Sequence, residues 1–416
     1  MRFSSLPSLL CGAVLLALTG CGQPPEPVFS LNAKTTALAP PAQTIVQELL
    51  TENFGTPNNL VAWQQFPIDY GTADATADDP LRHTDGWRLR AGRDLYMVHC
   101  LHCHGVAGDG AGPTARFLNP RPRDYRQGLF KVKSTIDGTK PSVADMRRML
   151  ADGIPGTYMP SFVLLGPEKI GLLVDYVRWL SIRGELELKL AVDFASSGAT
   201  SADLQRSFRE KRSEDSNVTY DSVEKEVLDS IREGLADNVS QVAQDITDTW
   251  MAAEDPANVI MPKAKRSPPT ADSIARGKEL FLGNKAKCSD CHGPAGRGDG
   301  PQTEAFEKIK DVSPERSYDH PGLHDAWGNL IQPRNLTRGV YRFGRRPIDI
   351  YRRVYSGINA TPMMGFSKAL KEEEMWDVVN YVLSLPFDGR QSAAMDQLAL
   401  EEHLERGDKV ADAAER

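Results

Sequence analysis

Apolar and polar positions divide the chain into segments of different predicted structure. Apolar residues between positions 218 and 250 recur mostly at three- or four-residue spacing, which predicts a long amphipathic helix. They are Val223, Val227, Ile231, Leu235, Val242, Ile246 and Trp250. We expect this helix to pack across two flanking domains, with docking of a partner subunit as the alternative. Residues 196–215 are polar and charged and predict a loose linker, so that 193–270 forms a linker region. Residues 388–416 predict a charged, helical tail.

At the N-terminus, an apolar run from Leu9 to Leu18 follows the positively charged Arg2. The run is too short to span a bilayer as a mature helix, and it predicts a signal peptide over residues 1–20. Its end, Leu-Thr-Gly-Cys, resembles the lipobox of bacterial lipoproteins, which implies lipidation of Cys21. The alternative is a simple cleaved signal with an accidental cysteine. The sequence thus predicts a membrane lipoprotein of the bacterial cell envelope that faces the periplasm.

Residues 21–85 are predicted to be a tether and an N-terminal extension. The part from 22 to 43 is rich in proline and alanine and predicts a tether that lifts the body off the membrane. The pattern assigns no function to residues 44–85. No later segment has 18 consecutive apolar residues, so the lipid is the expected membrane attachment.

The remaining chain contains an internal repeat of two units, residues 86–192 and 271–387. Each unit has a glycine-led apolar segment, a Cys-x-x-Cys-His segment, a Gly-rich loop, a Thr-x-Met segment and a final aromatic segment. The matched blocks are 92–96 and 277–281, 103–113 and 291–301, 122–128 and 333–339, 157–162 and 361–366, and 174–177 and 379–382. Because the blocks keep the same order, the repeat predicts two domains of one fold.

The Cys-x-x-Cys-His segments are the attachment signature of c-type haem. Two thiols three residues apart lie on one helical turn and can both reach the vinyl groups along one side of the porphyrin. The histidine that follows then lies under the iron. A zinc site would need more ligands, and a thioredoxin-type pair does not need the histidine. The sequence therefore predicts two covalently bound haem c groups, held by Cys100, Cys103 and His104 and by Cys288, Cys291 and His292.

The sixth ligand of each iron separates an electron carrier from a site that binds small molecules. Met159 and Met363 occupy the same position in the repeat. Each ends a loop that contains glycine and proline and precedes the last helix, and we call these loops, 153–159 and 357–363, the methionine straps. We predict that both are axial ligands. Met364 is the alternative in the second strap, although Met363 is the residue that aligns with Met159. The usual role of a methionine is to fill a core.

Arg123 and Arg334 share another repeat position, directly after a proline. They are predicted to hold haem propionates through charge-assisted hydrogen bonds, with a solvated arginine as the alternative. Cysteine usage agrees with this scheme. The chain has six cysteines: one lies in the predicted signal, one is Cys21, and the other four are those predicted to attach haem. The formal net charge of −7 and the lack of a basic stripe argue against a nucleic-acid partner.

Together these motifs resemble class I c-type cytochrome domains over about half of the chain. The resemblance implies an all-α fold, in which two helical domains are joined by a helical linker. It also implies that the first and last helices of each unit cross, at Gly92 with Tyr176 and at Gly277 with Tyr381. By the same resemblance, the carbonyls that accept from the axial histidines are those of Pro113 and Pro301. A departure from the pattern is Met364, where the first unit has a proline; it could shift the second strap.

The second unit has additional residues at 302–332, which we call the insertion. His320 and His324 lie there beside Asp319 and Asp325, a spacing that a zinc or copper site would also show. The interpretation we favour is that the segment ending at Trp327 covers haem surface or forms part of a docking face.

These observations predict a membrane-anchored dihaem electron carrier that is not an enzyme. By resemblance, it relays single electrons in a respiratory chain from a quinol-oxidising complex to a terminal oxidase or reductase. One alternative is a cytochrome subunit of a dehydrogenase or oxidase complex. Another is a dihaem peroxidase, which would need one iron with an open sixth position, and a third is a haem-based gas sensor.

Overall fold

The computed structural model describes residues 26–309 and 315–387. The predicted signal peptide, Cys21 and the predicted tail lie outside the described residues. The regular secondary structure of the described chain is almost entirely helical, which confirms the all-α prediction. A short antiparallel hairpin in the insertion pairs β1 (Leu323–His324) with β2 (Leu330–Ile331).

The helices follow one another along the described chain in this order: α1 (Ala33–Thr36), α2 (Pro40–Phe54), α3 (Trp87–His99), α4 (Leu101–His104), α5 (Val143–Asp152), α6 (Gly166–Ser196), α7 (Ser201–Glu214), α8 (Tyr220–Glu233), α9 (Leu235–Ala252), α10 (Ala271–Leu282), α11 (Ser289–His292), α12 (Pro347–Ser356) and α13 (372–387). Short 3₁₀ turns lie at Pro80–His83, Ala115–Phe117, Val163–Leu165, Pro256–Asn258, Pro301–Glu304 and Leu336–Arg338.

Helix α6 is the centre of the first half of the molecule. It is 31 residues long, and every residue from Ile170 to Glu187 is buried. A helix that is buried on all sides must be surrounded by other elements. Here those elements are α3 and α5 of the first unit, α1 and α2 of the N-terminal extension, and α9 of the linker region.

The N-terminal extension packs on α6, contrary to the tether predicted over residues 22–43. Pro40 and Pro41 begin α2, where the fixed φ of proline suits the first helical turn. The apolar stripe of α2 that follows is buried against α6, so Val46, Leu50 and Phe54 are completely buried. Proline and alanine content suggested a tether, but Pro40 and Pro41 initiate a helix and Ala42 belongs to its buried stripe.

The linker region differs from its prediction in two ways. Residues 201–214 are helical and not loose, because Thr200 caps α7 and Leu204 is buried against Ala39 and Val223. The predicted long helix over 218–250 is two helices, α8 and α9, which separate at Gly234, a residue of low helix propensity. Helix α9 packs on α6.

In each unit the first and last helices cross at the glycine that the resemblance implied. A Cβ on Gly92 would lie 2.3 Å from the carbonyl oxygen of Leu172 and 2.9 Å from the Cβ of Tyr176. A Cβ on Gly277 would lie 2.0 Å from the carbonyl oxygen of Asp377 and 2.9 Å from the Cβ of Tyr381. All four distances are shorter than van der Waals contact, so the crossings require glycine.

The two units contact each other directly. Arg148 on α5 donates two hydrogen bonds to the carboxylate of Asp349 on α12, at 2.7 and 2.8 Å, and the Asp349 side chain is fully buried. The segment that leaves the linker region also pairs with the first unit. Ile260 donates its backbone N–H to the Ser134 carbonyl at 2.8 Å, and Ile136 donates to the Asn258 carbonyl at 2.8 Å.

Candidate haem sites

Each Cys-x-x-Cys-His segment forms one short helical turn, α4 or α11. The backbone N–H of His104 donates to the Cys100 carbonyl at 2.9 Å, and His292 donates to Cys288 at the same distance. Both turns end at a glycine with positive φ, which is 75° at Gly105 and 74° at Gly293. The two cysteines and the histidine of each segment therefore lie on one helical turn, as covalent haem attachment requires.

The histidines predicted to be axial ligands are oriented by backbone carbonyls. Nδ1 of His104 lies 3.3 Å from the carbonyl oxygen of Arg123, and Nδ1 of His292 lies 3.2 Å from that of Arg334. A hydrogen bond from Nδ1–H leaves the lone pair of Nε2 available to an iron. The resemblance implied that the carbonyls of Pro113 and Pro301 accept these hydrogen bonds. The structure shows instead that the carbonyls of Arg123 and Arg334 do so.

Packing of the Gly-rich loops explains why the Pro-Arg segments supply these carbonyls. A Cβ on Gly110 would lie 2.6 Å from the Pro122 carbonyl oxygen, and one on Gly298 would lie 2.3 Å from the Pro333 carbonyl oxygen. The Gly-rich loop thus admits the later Pro-Arg segment close to the histidine. Pro301 instead begins the 3₁₀ turn that follows its loop, and Pro113 lies two residues before the corresponding turn at Ala115.

Burial sets the charge of these groups. Burial lowers the pKa of His104 to about 4 and also lowers the pKa of His292. Both imidazoles are therefore neutral at pH 7, which is the form that binds iron. Burial raises the pKa of the Cys100 and Cys288 thiols to about 12. All four cysteines of the two segments have free thiols in the structure.

The two methionine straps have the same hydrogen bonds. In the first, the Ile154 N–H donates to the Met159 carbonyl at 3.1 Å, and the Thr157 hydroxyl donates to the Ile154 carbonyl at 2.8 Å. In the second, the Ile358 N–H donates to the Met363 carbonyl at 2.9 Å. The Thr361 hydroxyl repeats the contact of Thr157 at 2.8 Å.

Residue Met364 leaves the second strap unchanged. Its side chain is 69 % exposed, whereas Met363 is half-buried like Met159. The departure from the proline at position 160 therefore does not alter the strap's hydrogen bonds. Of the two adjacent methionines, Met363 has the burial that an iron ligand needs.

Neither predicted propionate-binding arginine is simply solvated. The Arg123 guanidinium lies 4.2 Å from the ring centroid of Trp327 and 3.8 Å from the carboxylate of Asp325, and burial lowers its pKa to about 10. The Arg334 guanidinium donates to the carbonyls of Pro155 and Gly156 in the first strap, at 3.1 and 3.4 Å. Each arginine therefore reaches into the other unit.

The described part of the insertion contacts the first unit. His324 stacks on Tyr318 with ring centroids 3.5 Å apart, and its Nδ1 lies 3.3 Å from a Glu307 carboxylate oxygen. Asp325 accepts from Lys131 at 2.9 Å. Within the described ranges, no group of three or more His, Cys, Asp or Glu side chains could hold a metal ion. The alternative of zinc or copper at His320 therefore has no support there.

One neighbour of a histidine was not predicted. The ring of Tyr125 stacks on His104 with centroids 4.7 Å apart and an interplanar angle of 19°. Leu336 occupies the same repeat position in the second unit, so the two histidines have different surroundings. The signal for this difference lies within the matched blocks 122–128 and 333–339, where the fourth residue is tyrosine in one unit and leucine in the other.

Comparison with known proteins agrees with this geometry. Residues 89–181 and 274–386 match the cytochrome c family. Both segments are cytochrome c domains. Members of this family bind haem c covalently, and the cysteine thiols and the neutral histidines fit such a group. We call the two units the first and second cytochrome domains.

Other comparisons add little. The solved structure of the reducing HAO-like protein complex of Kuenenia stuttgartiensis is 24 % identical, covers 71 % of this chain and 95 % of that chain, and has a TM-score of 0.46. Among curated proteins, no match to this chain is found. Within the part of the chain that the structure describes, no helix combines the length and apolar character needed to cross a bilayer.

Proposed function

We propose that this chain is a dihaem electron carrier, with one haem c in each cytochrome domain. The observation that carries the proposal is that both domains repeat the same local geometry. Each has the Cys-x-x-Cys-His turn, a carbonyl that orients the histidine and a methionine strap with the same hydrogen bonds. A domain that had lost its haem would be under no constraint to retain all three features.

Ligation by histidine and methionine at both irons makes the chain a carrier and not an enzyme. Thioether ligation closes the sixth position and favours the ferrous state, which suits single-electron transfer at high potential. The proposed pairs are His104 with Met159 and His292 with Met363. The haem supplies the redox chemistry, and the protein supplies ligands, burial and orientation.

Two measurements on the purified protein test this proposal. Pyridine haemochrome analysis should give two haems per chain, and a value near one would show that one domain is not loaded. The reduced wild-type protein should not bind carbon monoxide. Stoichiometric binding at one iron would contradict the carrier proposal and favour the peroxidase or gas-sensor alternative.

We further propose that the carrier is a periplasm-facing lipoprotein, anchored through Cys21, which exchanges electrons with membrane-bound redox complexes. The lipobox-like sequence before Cys21 supports the anchor. An anchor would raise the local concentration of the carrier near membrane partners without any new contact. In a respiratory chain, the donor would be a quinol-oxidising complex and the acceptor a terminal oxidase or reductase.

A further inference from the structure

Two pairs of cations occupy matching positions in the cytochrome domains. In each domain an arginine follows the proline of the Pro-Arg segment, and a second cation lies eight residues later, from 123 to 131 and from 334 to 342. We call these four residues the interdomain cation cluster: Arg123, Lys131, Arg334 and Arg342. The repeat predicts a role for the two arginines after proline, whereas Lys131 and Arg342 belong to no motif of the sequence.

The four cations lie close enough to act on one another. The positive charge of Arg342 lowers the pKa of both Arg123 and Lys131, although burial is the larger cause in each case. For Arg342 itself, burial lowers the pKa most, and the charge of Arg334 lowers it further. The pKa of Lys131 falls to about 8. Cations from both domains thus form a single electrostatic group.

Protein carboxylates do not balance this charge. In the described part of the chain, Asp325 is the carboxylate within salt-bridge distance of the cluster, at 2.9 Å from Lys131 and 3.8 Å from Arg123. The nearby Asp124 is already engaged by Arg126 at 2.9 Å. Partly buried charges without partners are costly, so a cluster of four half-buried cations and one carboxylate calls for further anions.

Several donors of this region also lack an acceptor. The Nε atoms of Arg334 and Arg342 and the indole Nε1 of Trp327 are buried and have no hydrogen-bond partner in the protein. Buried polar groups are nearly always hydrogen-bonded, so these three N–H groups indicate an acceptor supplied from outside the polypeptide.

The cluster lies between the two candidate haem sites. Arg334 orients His292 through its carbonyl, and its guanidinium contacts Gly156, three residues before Met159. The first domain shows the same relation through the insertion. Arg123 orients His104 and contacts Asp325 and Trp327.

The residue between those two insertion residues completes the relation. Ala326 donates its backbone N–H to the Ala360 carbonyl at 3.0 Å. Ala360 lies three residues before Met363 and aligns with Gly156 in the repeat. Each arginine that orients one histidine is thereby linked to the methionine strap of the other domain.

From this arrangement we infer that the interdomain cation cluster is one shared anion-binding site, which holds the propionate carboxylates of both haems. The inference rests on the proposed function, because it needs a haem in each domain. Propionates supply the missing negative charge and the missing acceptors together, and guanidinium groups suit carboxylates through paired hydrogen bonds. The insertion adds the indole of Trp327 and the single carboxylate.

A shared site predicts that one substitution affects both haems. Removing a cation makes the surroundings of both irons more negative, which stabilises the ferric state and lowers both midpoint potentials. The test is a potentiometric titration of the full-length, haem-loaded protein carrying Arg342→Gln or Arg334→Gln. Arg342→Lys should restore both potentials, since the first domain has Lys131 at that position. Arg345→Gln, at an exposed arginine in the same segment, is the matched control and should leave both unchanged.

A second readout separates a role in propionate binding from one in folding. In Arg342→Gln, a propionate without its cation should take up a proton when its haem is reduced. The lower potential should therefore become pH-dependent near neutrality, while that of the wild type does not. A loss of packing alone would change the melting temperature without creating this dependence.

The outcomes are separable. Two haems per chain with potentials that match the control would overturn the shared site and leave the proposed function intact. A shift of one potential only would show that the cations serve separate haems. If phosphate, compared with chloride at equal ionic strength, shifted the wild-type potentials but not those of Arg342→Gln, a dissolved anion and not propionate would occupy the site. A wild type with one haem would instead contradict the proposed function.

Discussion

At the residue scale, each candidate haem site contains a histidine whose charge and tautomer are set by the neighbouring residues. Burial keeps the imidazole neutral, and a carbonyl from the Pro-Arg segment selects the tautomer that presents Nε2. The methionine opposite is held by backbone contacts of its strap and not by its own side chain. Substituting the thioether should therefore change ligation and leave the strap in place.

We expect Met159→Ala to open one iron to carbon monoxide and to remove the thioether-to-iron charge-transfer band of that haem. Met363→Ala should do the same at the other iron. The absorption spectrum, with carbon monoxide titration of the reduced protein, measures both effects. Met364→Leu is the control, because that side chain is exposed, and it should leave the spectrum unchanged. Loss of the band in Met364→Leu, with Met363→Ala silent, would assign the ligand to Met364.

At the scale of elements, the fold of each cytochrome domain depends on helices that cross at one glycine. At Gly277 the carbonyl oxygen of Asp377 would lie 2.0 Å from an added Cβ, and that atom belongs to the backbone of α13. A flexible side chain could move away, but a helix backbone cannot shift without displacing its other contacts.

Gly277→Val should accordingly destabilise the protein by about 3 kcal/mol, the upper range for overpacking a core. Chemical denaturation of the haem-loaded protein, followed by far-UV circular dichroism, measures this. Gly234→Ala serves as the comparison, since nothing lies within 4 Å of an added Cβ there. It should change the stability by less than about 1 kcal/mol. Equal effects of the two substitutions would refute the tight crossing.

At the scale of the whole molecule, the two domains are joined by more than the linker region. Asp349 is fully buried between Arg148 of the first domain and Arg346 of its own domain. Burial raises the pKa of Asp349, but the hydrogen bonds from these arginines outweigh burial and hold its pKa well below the ordinary value. The ion pair thereby couples the stability of the interface to pH.

The sign of this coupling follows from the depressed pKa. The contribution of Asp349 is complete above its unfolded-state pKa of about 3.9 and is lost as the pH falls below that value. Asp349→Asn should therefore cost about 2 kcal/mol near neutral pH and show a weaker loss of stability on acidification. Urea denaturation at several pH values measures both, with Asp78→Asn at an exposed carboxylate as the control. An unchanged acid profile in Asp349→Asn would disprove the coupling.

The proposed anchor also acts on the whole molecule. Replacing Cys21 by Ser, behind a signal that a general signal peptidase cleaves, should release the protein from membranes into the soluble fraction. The reason is that the lipid on Cys21 is the membrane attachment proposed for this chain. Fractionation in the absence of detergent measures this, and the wild type is its reference. A Cys21→Ser protein that still required detergent would point to another membrane contact.

Local patterns determined most of the chemistry of this protein. The Cys-x-x-Cys-His segments, the aligned methionines and the crossing glycines can be recognised because each depends on residues close in sequence or on the repeat. The same patterns determined the helical class and the cytochrome c family. They did not reveal which carbonyl orients His104, because Arg123 and Pro113 are both in the loops that follow and only packing of the Gly-rich loop chooses between them.

Tertiary structure decided what depends on contacts between distant segments. The proline-rich start of α2 looks like a tether until α6 supplies an apolar surface on which Leu50 and Phe54 are buried. Lys131 and Arg342 look like ordinary surface cations until the two domains bring them beside Arg123 and Arg334. The free energy of burying a side chain or a charge depends on the surface opposite, and that surface exists only once the chain has folded.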